Sequence, residues 1–223
     1  MELADGVYSF PLTITQPERD ITIHPAGVEL EDGGLALIDA GFPNTVDVLE
    51  DALADEGFDY DDVEYLILTH QDGDHVGGAA EVVERSGATV FAHRDDTPVM
   101  EGAEDPIKGP DGDRYDPVAV DVQVVDGVEV RTAAGPLQVV ATPGHTPGHV
   151  SLFLPDASVL LAADASVADD GELVGPDERF TPDLEQAHES LETLADLAFT
   201  DVLCFHGGHV EADPARLHEL ATE

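Results

Sequence analysis

The segment Thr69-His70-Gln71-Asp72-Gly73-Asp74-His75-Val76-Gly77-Gly78 places four metal-binding side chains, those of His70, Asp72, Asp74 and His75, within six residues. In an open loop, side chains two apart converge on one ion, and the adjacent pair Asp74 and His75 can serve a second. Gly73, Gly77 and Gly78 allow the tight backbone that such convergence demands. Imidazole and carboxylate together suit zinc, iron or manganese.

Three later residues fit the same chemistry. His145 lies in Pro143-Gly144-His145-Thr146-Pro147-Gly148-His149, Asp164 follows the apolar run Val159–Ala163, and His206 follows Val202–Phe205. Each is expected at the C-terminal end of a strand, where ligand sites form in α/β architectures.

The elements that must position them can be read from apolar patterning. Val7–Ile14, Ala26–Glu31, Leu35–Ile38, Val63–Thr69 and Thr89–Ala92 read as strands, with Asp32-Gly33-Gly34 as a hairpin turn. Further strands are expected around Val118–Val125, Val128–Thr132, Leu137–Thr142, Val150–Leu154, Val159–Ala163 and Val202–Phe205. Asn44 reads as the N-cap of a helix running to Glu56, and Val76–Arg85 as a helix stopped by Gly87. Thr181-Pro182 opens a helix with Leu184, Ala187, Leu191, Leu194 and Ala198 at helical spacing, and Asp213-Pro214 opens a terminal one. Glu101–Pro117, rich in Gly, Pro and Asp, reads as a long lid-like loop. The order predicts two β-then-α halves packed as two sheets between helix layers, in one domain over residues 1–223.

Charge is the chain's most unusual property. Its 223 residues hold 49 acids against 8 bases, a formal net charge of −41, yet 42% are hydrophobic. The acids are dispersed along the chain, which argues for a folded domain with an acidic surface and against a disordered tail. Such a surface repels itself in dilute buffer and is screened when the Debye length falls to about 3 Å near 1 M salt. Acid surplus with a single lysine, Lys108, resembles proteins of extreme halophiles. No basic stripe exists to neutralise phosphates, which excludes nucleic acid as a partner. Cys204 stands alone, so no intramolecular disulfide forms. The N-terminus lacks a signal-peptide pattern and no apolar run is long enough to span a membrane. A cytoplasmic location is expected.

With these residues in place, the chain resembles the metallo-β-lactamase-fold hydrolases. Their T-H-x-H-x-D-H signature is matched by Thr69–His75, their Gly-His loop by His145, their later ligands by Asp164 and His206. Leu37-Ile38-Asp39-Ala40-Gly41 resembles an early strand end whose aspartate supports the metal loop. The resemblance implies a four-layer αββα sandwich of two mixed sheets with the site along one edge. It assigns His70, Asp72 and His145 to site 1, Asp74, His75 and His206 to site 2, and Asp164 as the bridge. His209 competes with His206 for the last place, and His206 is preferred because it ends the strand and precedes Gly207. His149 and Asp39 are expected as supporting hydrogen-bonding residues. His93 and Lys108 are expected to face the substrate, Lys108 at an anionic part of it. His24, His188 and His218 read as structural or surface residues, and Cys204 as a buried strand residue.

One departure stands out. The signature's second histidine is Asp72 here, giving H-x-D-x-D-H. With Asp72, Asp74, Asp164 and one hydroxide, two divalent ions sum to zero formal charge where a histidine at 72 would leave one positive charge, which lowers electrophilicity and relaxes selectivity for zinc. The expected cofactor is two divalent ions, zinc foremost, with iron or manganese tolerated. The expected reaction is attack by a metal-bridging hydroxide, oriented by Asp74, on the carbonyl of an ester, thioester or lactone in a small molecule. The alternative is a mononuclear iron sulfur dioxygenase or another iron redox protein of the same fold, which the carboxylate at 72 favours. Only 17 residues follow His206, too few for an appended flavodoxin or thiol-cofactor domain.

Overall fold

The computed structural model describes residues 1–15, 20–108 and 114–223. The chain opens with β1 (Glu2–Ala4), β2 (Val7–Ser9) and a hairpin of β3 (Leu12–Ile14) and β4 (Ile21–Ile23). Then come β5 (Ala26–Glu29), β6 (Leu35–Ile38), α1 (Val46–Asp55), β7 (Val63–Leu68), α2 (Gly73–Val76), α3 (Ala79–Ser86), β8 (Thr89–His93) and α4 (Thr97–Met100). The second half supplies β9 (Val122–Val124), β10 (Glu129–Thr132), β11 (Gly135–Ala141), β12 (Val150–Leu154) and β13 (Val159–Ala163). A small hairpin of β14 (Val167–Asp169) and β15 (Glu172–Val174) precedes α5 (Leu184–Ala195), β16 (Asp201–Cys204), β17 (Gly208–Glu211) and α6 (Pro214–Leu220).

Two mixed sheets result, one of seven strands in the order β1-β2-β5-β6-β7-β8-β9 and one of six in the order β10-β11-β12-β13-β16-β17. The β6-β7-β8-β9 run is parallel, as is β13 with β16; the remaining pairs in these two sheets are antiparallel. The side-chain period of two sorts each central strand between cores. Ala36, Ile38 and Ile67 face Leu137, Val139, Leu152, Leu161 and Leu203 between the sheets. Leu35, Leu37, Leu66 and Leu68 face outward onto Leu49 and Leu53 of α1 and Val82 of α3. Leu160, Ala162, Val202 and Cys204 face Leu191 and Leu194 of α5 and Leu217 and Leu220 of α6. The architecture is therefore αββα. No helix among the described residues is long and apolar enough to cross a membrane.

Several local expectations are corrected. The N-cap of α1 is Thr45, not Asn44, and the Thr45 hydroxyl donates to the Phe42 carbonyl. α5 starts later than Thr181-Pro182 and ends before Ala198; its cap is Asp183, which accepts from the Gln186 amide. The expected Val76–Arg85 helix is broken at Gly77-Gly78. There the chain runs too close for side chains: a Cβ on Gly77 would sit 2.3 Å from the Gly73 carbonyl oxygen and 2.4 Å from Pro43. The strand expected over Val118–Val125 shortens to β9. The strand expected over Val7–Ile14 is divided into β2 and β3, while β4, the hairpin β14-β15 and the strand β17 have no counterpart in the sequence expectations. Of the expected lid loop, residues 109–113 lie outside the described residues.

Candidate metal centre

The site forms where β6, β7, β13 and β16 end, beside the loop that joins β11 to β12. Its construction begins with Asp39, which follows β6 in the left-handed region at φ 63°. That conformation is costly for a non-glycine residue and persists where the surroundings over-determine it. Asp39 is buried, and one oxygen accepts from the Thr69 amide at 2.8 Å. The other accepts from the Thr69 hydroxyl at 2.8 Å and from His75 Nδ1 at 2.7 Å. Because the Thr69 hydroxyl is spent as donor, its oxygen accepts from His70 Nδ1 at 3.1 Å. Both histidines thus engage the support through Nδ1 and turn Nε2 toward the centre, the orientation that metal-ligating histidines require.

Asp164 is set by a second network. It follows Ala163, itself at φ 49°, where the β13-β16 register shifts. The Asp164 amide donates to His149 Nε2 at 3.1 Å, so the His149 proton is on Nδ1 and donates to the Thr142 hydroxyl at 2.8 Å. That hydroxyl lies 3.1 Å from Ser151 Oγ, which donates to the Ala162 carbonyl. His149 is fully enclosed, and burial holds its pKa well below the ordinary value, consistent with a neutral ring.

These supports bring the candidate ligands together. Asp164 Oδ2 lies 3.3 Å from His145 Nε2, 3.5 Å from His206 Nε2 and 4.0 Å from His70 Nε2, while Oδ1 lies 3.3 Å from His75 Nε2. His206 Nε2 is 3.1 Å from Asp74 Oδ2. Two ligands each ~2.1 Å from one tetrahedral ion lie about 3.4 Å apart, so this spacing suits shared metal coordination. Two groups emerge whose donor atoms lie within 4.8 Å of one another: His70, His145 and Asp164, and Asp74, His75 and His206. His70 Nε2, His75 Nε2 and Asp164 Oδ1 are buried with no hydrogen-bond partner. Leaving buried polar atoms unsatisfied costs about 1–3 kcal/mol each, and divalent ions would satisfy all three.

Charge follows the same geometry. Burial opposes protonation of His75, but the carboxylates of Asp164, Asp39 and Asp74 outweigh it and hold its pKa well above the usual range. Burial likewise opposes charge on His206, yet its contacts with Asp164 and Asp74 raise it to about 9. Burial favours protonation of Asp72, Asp74 and Asp164, but the surrounding cationic groups prevail and depress all three.

Asp72 is placed differently from the other expected ligands. Its Oδ2 is 3.4 Å from His70 Nε2 and 3.0 Å from His145 Nε2, but 2.5 Å from the Lys108 ammonium. His209 is carried away by the β16-β17 register onto Asp201, 2.7 Å from its Oδ1, whereas His206 lies among the ligands. His93 is buried and lines a cleft of about 460 Å³ with Arg94, Pro143, Pro147 and Gln186, none of them a candidate ligand. Its Nδ1 accepts from the Asp95 amide, which leaves Nε2–H to donate. His24 packs on Gly208, and His218 pairs with Glu192 at the surface. Cys204 is buried, and burial pushes its thiol up to about 12.

Sequence reasoning missed Asp96. It is fully buried and accepts four bonds: from the Gln71 amide (3.0 Å) and side chain (2.9 Å), the Thr146 hydroxyl (2.6 Å) and the Gly148 amide (2.8 Å). One carboxylate therefore ties the loop of His70 and Asp72 to the loop of His145. The only hint in the sequence is an acid in Asp95-Asp96-Thr97-Pro98, a pattern that reads as a helix start.

Comparison with known proteins agrees with this fold. Residues 28–206 match the family model for the Metallo-beta-lactamase superfamily. The chain is 31% identical to the probable metallo-hydrolase YflN of Bacillus subtilis, over 92% of this chain and 85% of that protein. It is 33% identical to a hydroxyacylglutathione hydrolase of Methylococcus capsulatus, over 64% of this chain but only 47% of that protein. The crystal structure of the metallo-beta-lactamase family protein TTHA1429 from Thermus thermophilus superposes with a TM-score of 0.81 at 26% identity, covering 99% of this chain and 80% of that one. The chain belongs to the metallo-beta-lactamase superfamily, as a metal-dependent hydrolase.

Proposed function

We propose that this chain hydrolyses an ester, thioester or lactone in a small molecule, using two divalent ions, zinc foremost. The observation that carries the reading is the convergence of three partnerless buried atoms, His70 Nε2, His75 Nε2 and Asp164 Oδ1, from two chain segments far apart in sequence. His70 and His145 would hold one ion, Asp74, His75 and His206 the other, with Asp164 shared and Asp72 at the edge of the first. Bound ions would supply the Lewis acidity that polarises a carbonyl and acidifies water. The chain's own part is positioning and charge. Asp74, kept ionised by its cationic neighbours, orients the attacking water. Asp39 and His149 fix the rings and backbone that aim the ligands. Thioesters are the first bonds to try, because the Methylococcus relative is named a hydroxyacylglutathione hydrolase.

Lys108 and His93 are the substrate-facing residues in this reading. The Lys108 ammonium, at the edge of the ligand cluster, is assigned to an anionic group of the substrate, and His93 to a distal part extending into the 460 Å³ cleft. Asp72 makes the first site a harder donor set, tolerant of manganese or iron. The acidic exterior is read as adaptation to a salty cytoplasm: among the described residues only the carboxylates of Asp39, Asp96 and Asp164 are buried.

A panel of thioesters, esters and lactones, assayed in high salt with purified protein, tests the proposal. Turnover of at least one class is expected, lost on chelation and restored by zinc or manganese. Turnover that survives complete chelation contradicts it, as does a preparation holding one iron and oxidising persulfides without hydrolysing any of the panel.

A further inference from the structure

The only lysine in the chain inserts its ammonium among the candidate ligands of the first group. Nζ lies 2.5 Å from Asp72 Oδ2, 2.6 Å from His145 Nε2 and 3.2 Å from the Phe180 carbonyl. This is a braced contact. The amide of Ile107, next to Lys108, donates to Gln71 Oε1 at 3.0 Å, and Gln71 sits between His70 and Asp72. Gln71 is buried and anchored on Asp96, and the Tyr115 hydroxyl donates to its carbonyl at 2.8 Å. The Lys108 backbone is therefore held against the metal loop itself.

An ion held on His145 Nε2 at ~2.1 Å and an ammonium on the same nitrogen exclude each other, through both steric overlap and like charge. The second group carries no such competitor: among the described residues no lysine or arginine forms an ion pair with Asp74 or Asp164. Building on the metal reading above, we propose that Lys108 is a resident cation of the first ligand group and makes the two sites fill unequally. Asp74, His75, His206 and Asp164 take up an ion first. The His70-His145 group takes one only when the ammonium withdraws, and its apparent affinity is reduced by the fraction of time that Lys108 occupies it. Lys108 then sets the metal stoichiometry of the centre, with Asp72 as the carboxylate that retains the ammonium.

Calorimetric titration of the metal-free full chain with zinc, and separately with manganese, tests this through binding alone. The wild type should show one tight and one weak event. Lys108→Met, which keeps the length and removes the charge, should strengthen the weak event about tenfold or more and leave the tight one unchanged. Lys108→Ala should do the same, and Lys108→Arg should retain two unequal events. Two events of equal affinity in the wild type, or both affinities unchanged in the Met and Ala variants, would overturn the role of Lys108 and leave the hydrolase reading intact. No metal uptake by any of the proteins would overturn both.

Discussion

The two candidate ligand groups use the same residue types on different supports. In the group of Asp74, His75 and His206, Asp39 at the end of β6 holds His75 of α2 directly, and β16 carries His206 to within 3.1 Å of Asp74. The group of His70 and His145 joins two loops, held together by the single carboxylate of Asp96, and shares its ligand atoms with Lys108. One group is tied to the sheet through Asp39 and β16, and the other depends in addition on a clamp between loops. Selectivity of metal binding should therefore be more easily altered at the second of these than at the first.

Substitutions can break that contrast in graded steps. Asp164→Ala, which removes the carboxylate reaching both groups, should lower hydrolysis by well over about a hundredfold, since even supporting partners cost 10–100-fold. Metal analysis after dialysis should show that both ions are lost. Asp39→Asn removes the charge and one of the two carboxylate acceptors that serve Thr69 and His75, and should weaken both affinities by about 10–100-fold. Asp96→Asn should weaken only the His70-His145 group, by about tenfold, with the other unchanged; equal weakening of both would erase the distinction between sheet-held and clamp-held ligands.

The smallest effects lie outside the centre. Raising salt from about 0.1 M to several molar screens the acidic surface and should raise the melting temperature, an effect that a thermal scan at fixed pH would reveal. Cys204 sits on the α5-α6 side of the second sheet, and with its pKa near 12 the thiol stays protonated at neutral pH. It should resist thiol reagents in the native protein at pH 7–8 and react once the protein is unfolded.

Most of this plan was legible in the chain because β-structure writes itself with period two. Leu35-Ala36-Leu37-Ile38 and Leu66-Ile67-Leu68 are apolar on both faces, as strands covered by a helix layer and a second sheet must be. Asp164 and His206 were legible because each directly follows such a run, and His70, Asp72, Asp74, His75 and His145 because they crowd into loops that open just after one. What was hidden depends on three-dimensional register. His206 could be preferred to His209 because it directly ends the strand, but the partner of His209 could not be read: the pairing of Leu203 with His209 sends it to Asp201. Asp96 looks like one more acid in an acid-rich chain, and only its four donors distinguish it. Lys108 drew notice as the single lysine, but its contact with Asp72 and His145 depends on the Ile107–Gln71 tether, which spans 36 positions in sequence.

Anomalous diffraction from crystals grown with zinc in high salt tests the central claim most directly. The account predicts one strong peak among Asp74, His75, His206 and Asp164, and a second, weaker one between His70 and His145 that strengthens in Lys108→Met. A single peak held elsewhere, or no peak within bonding distance of His75 Nε2, would contradict it.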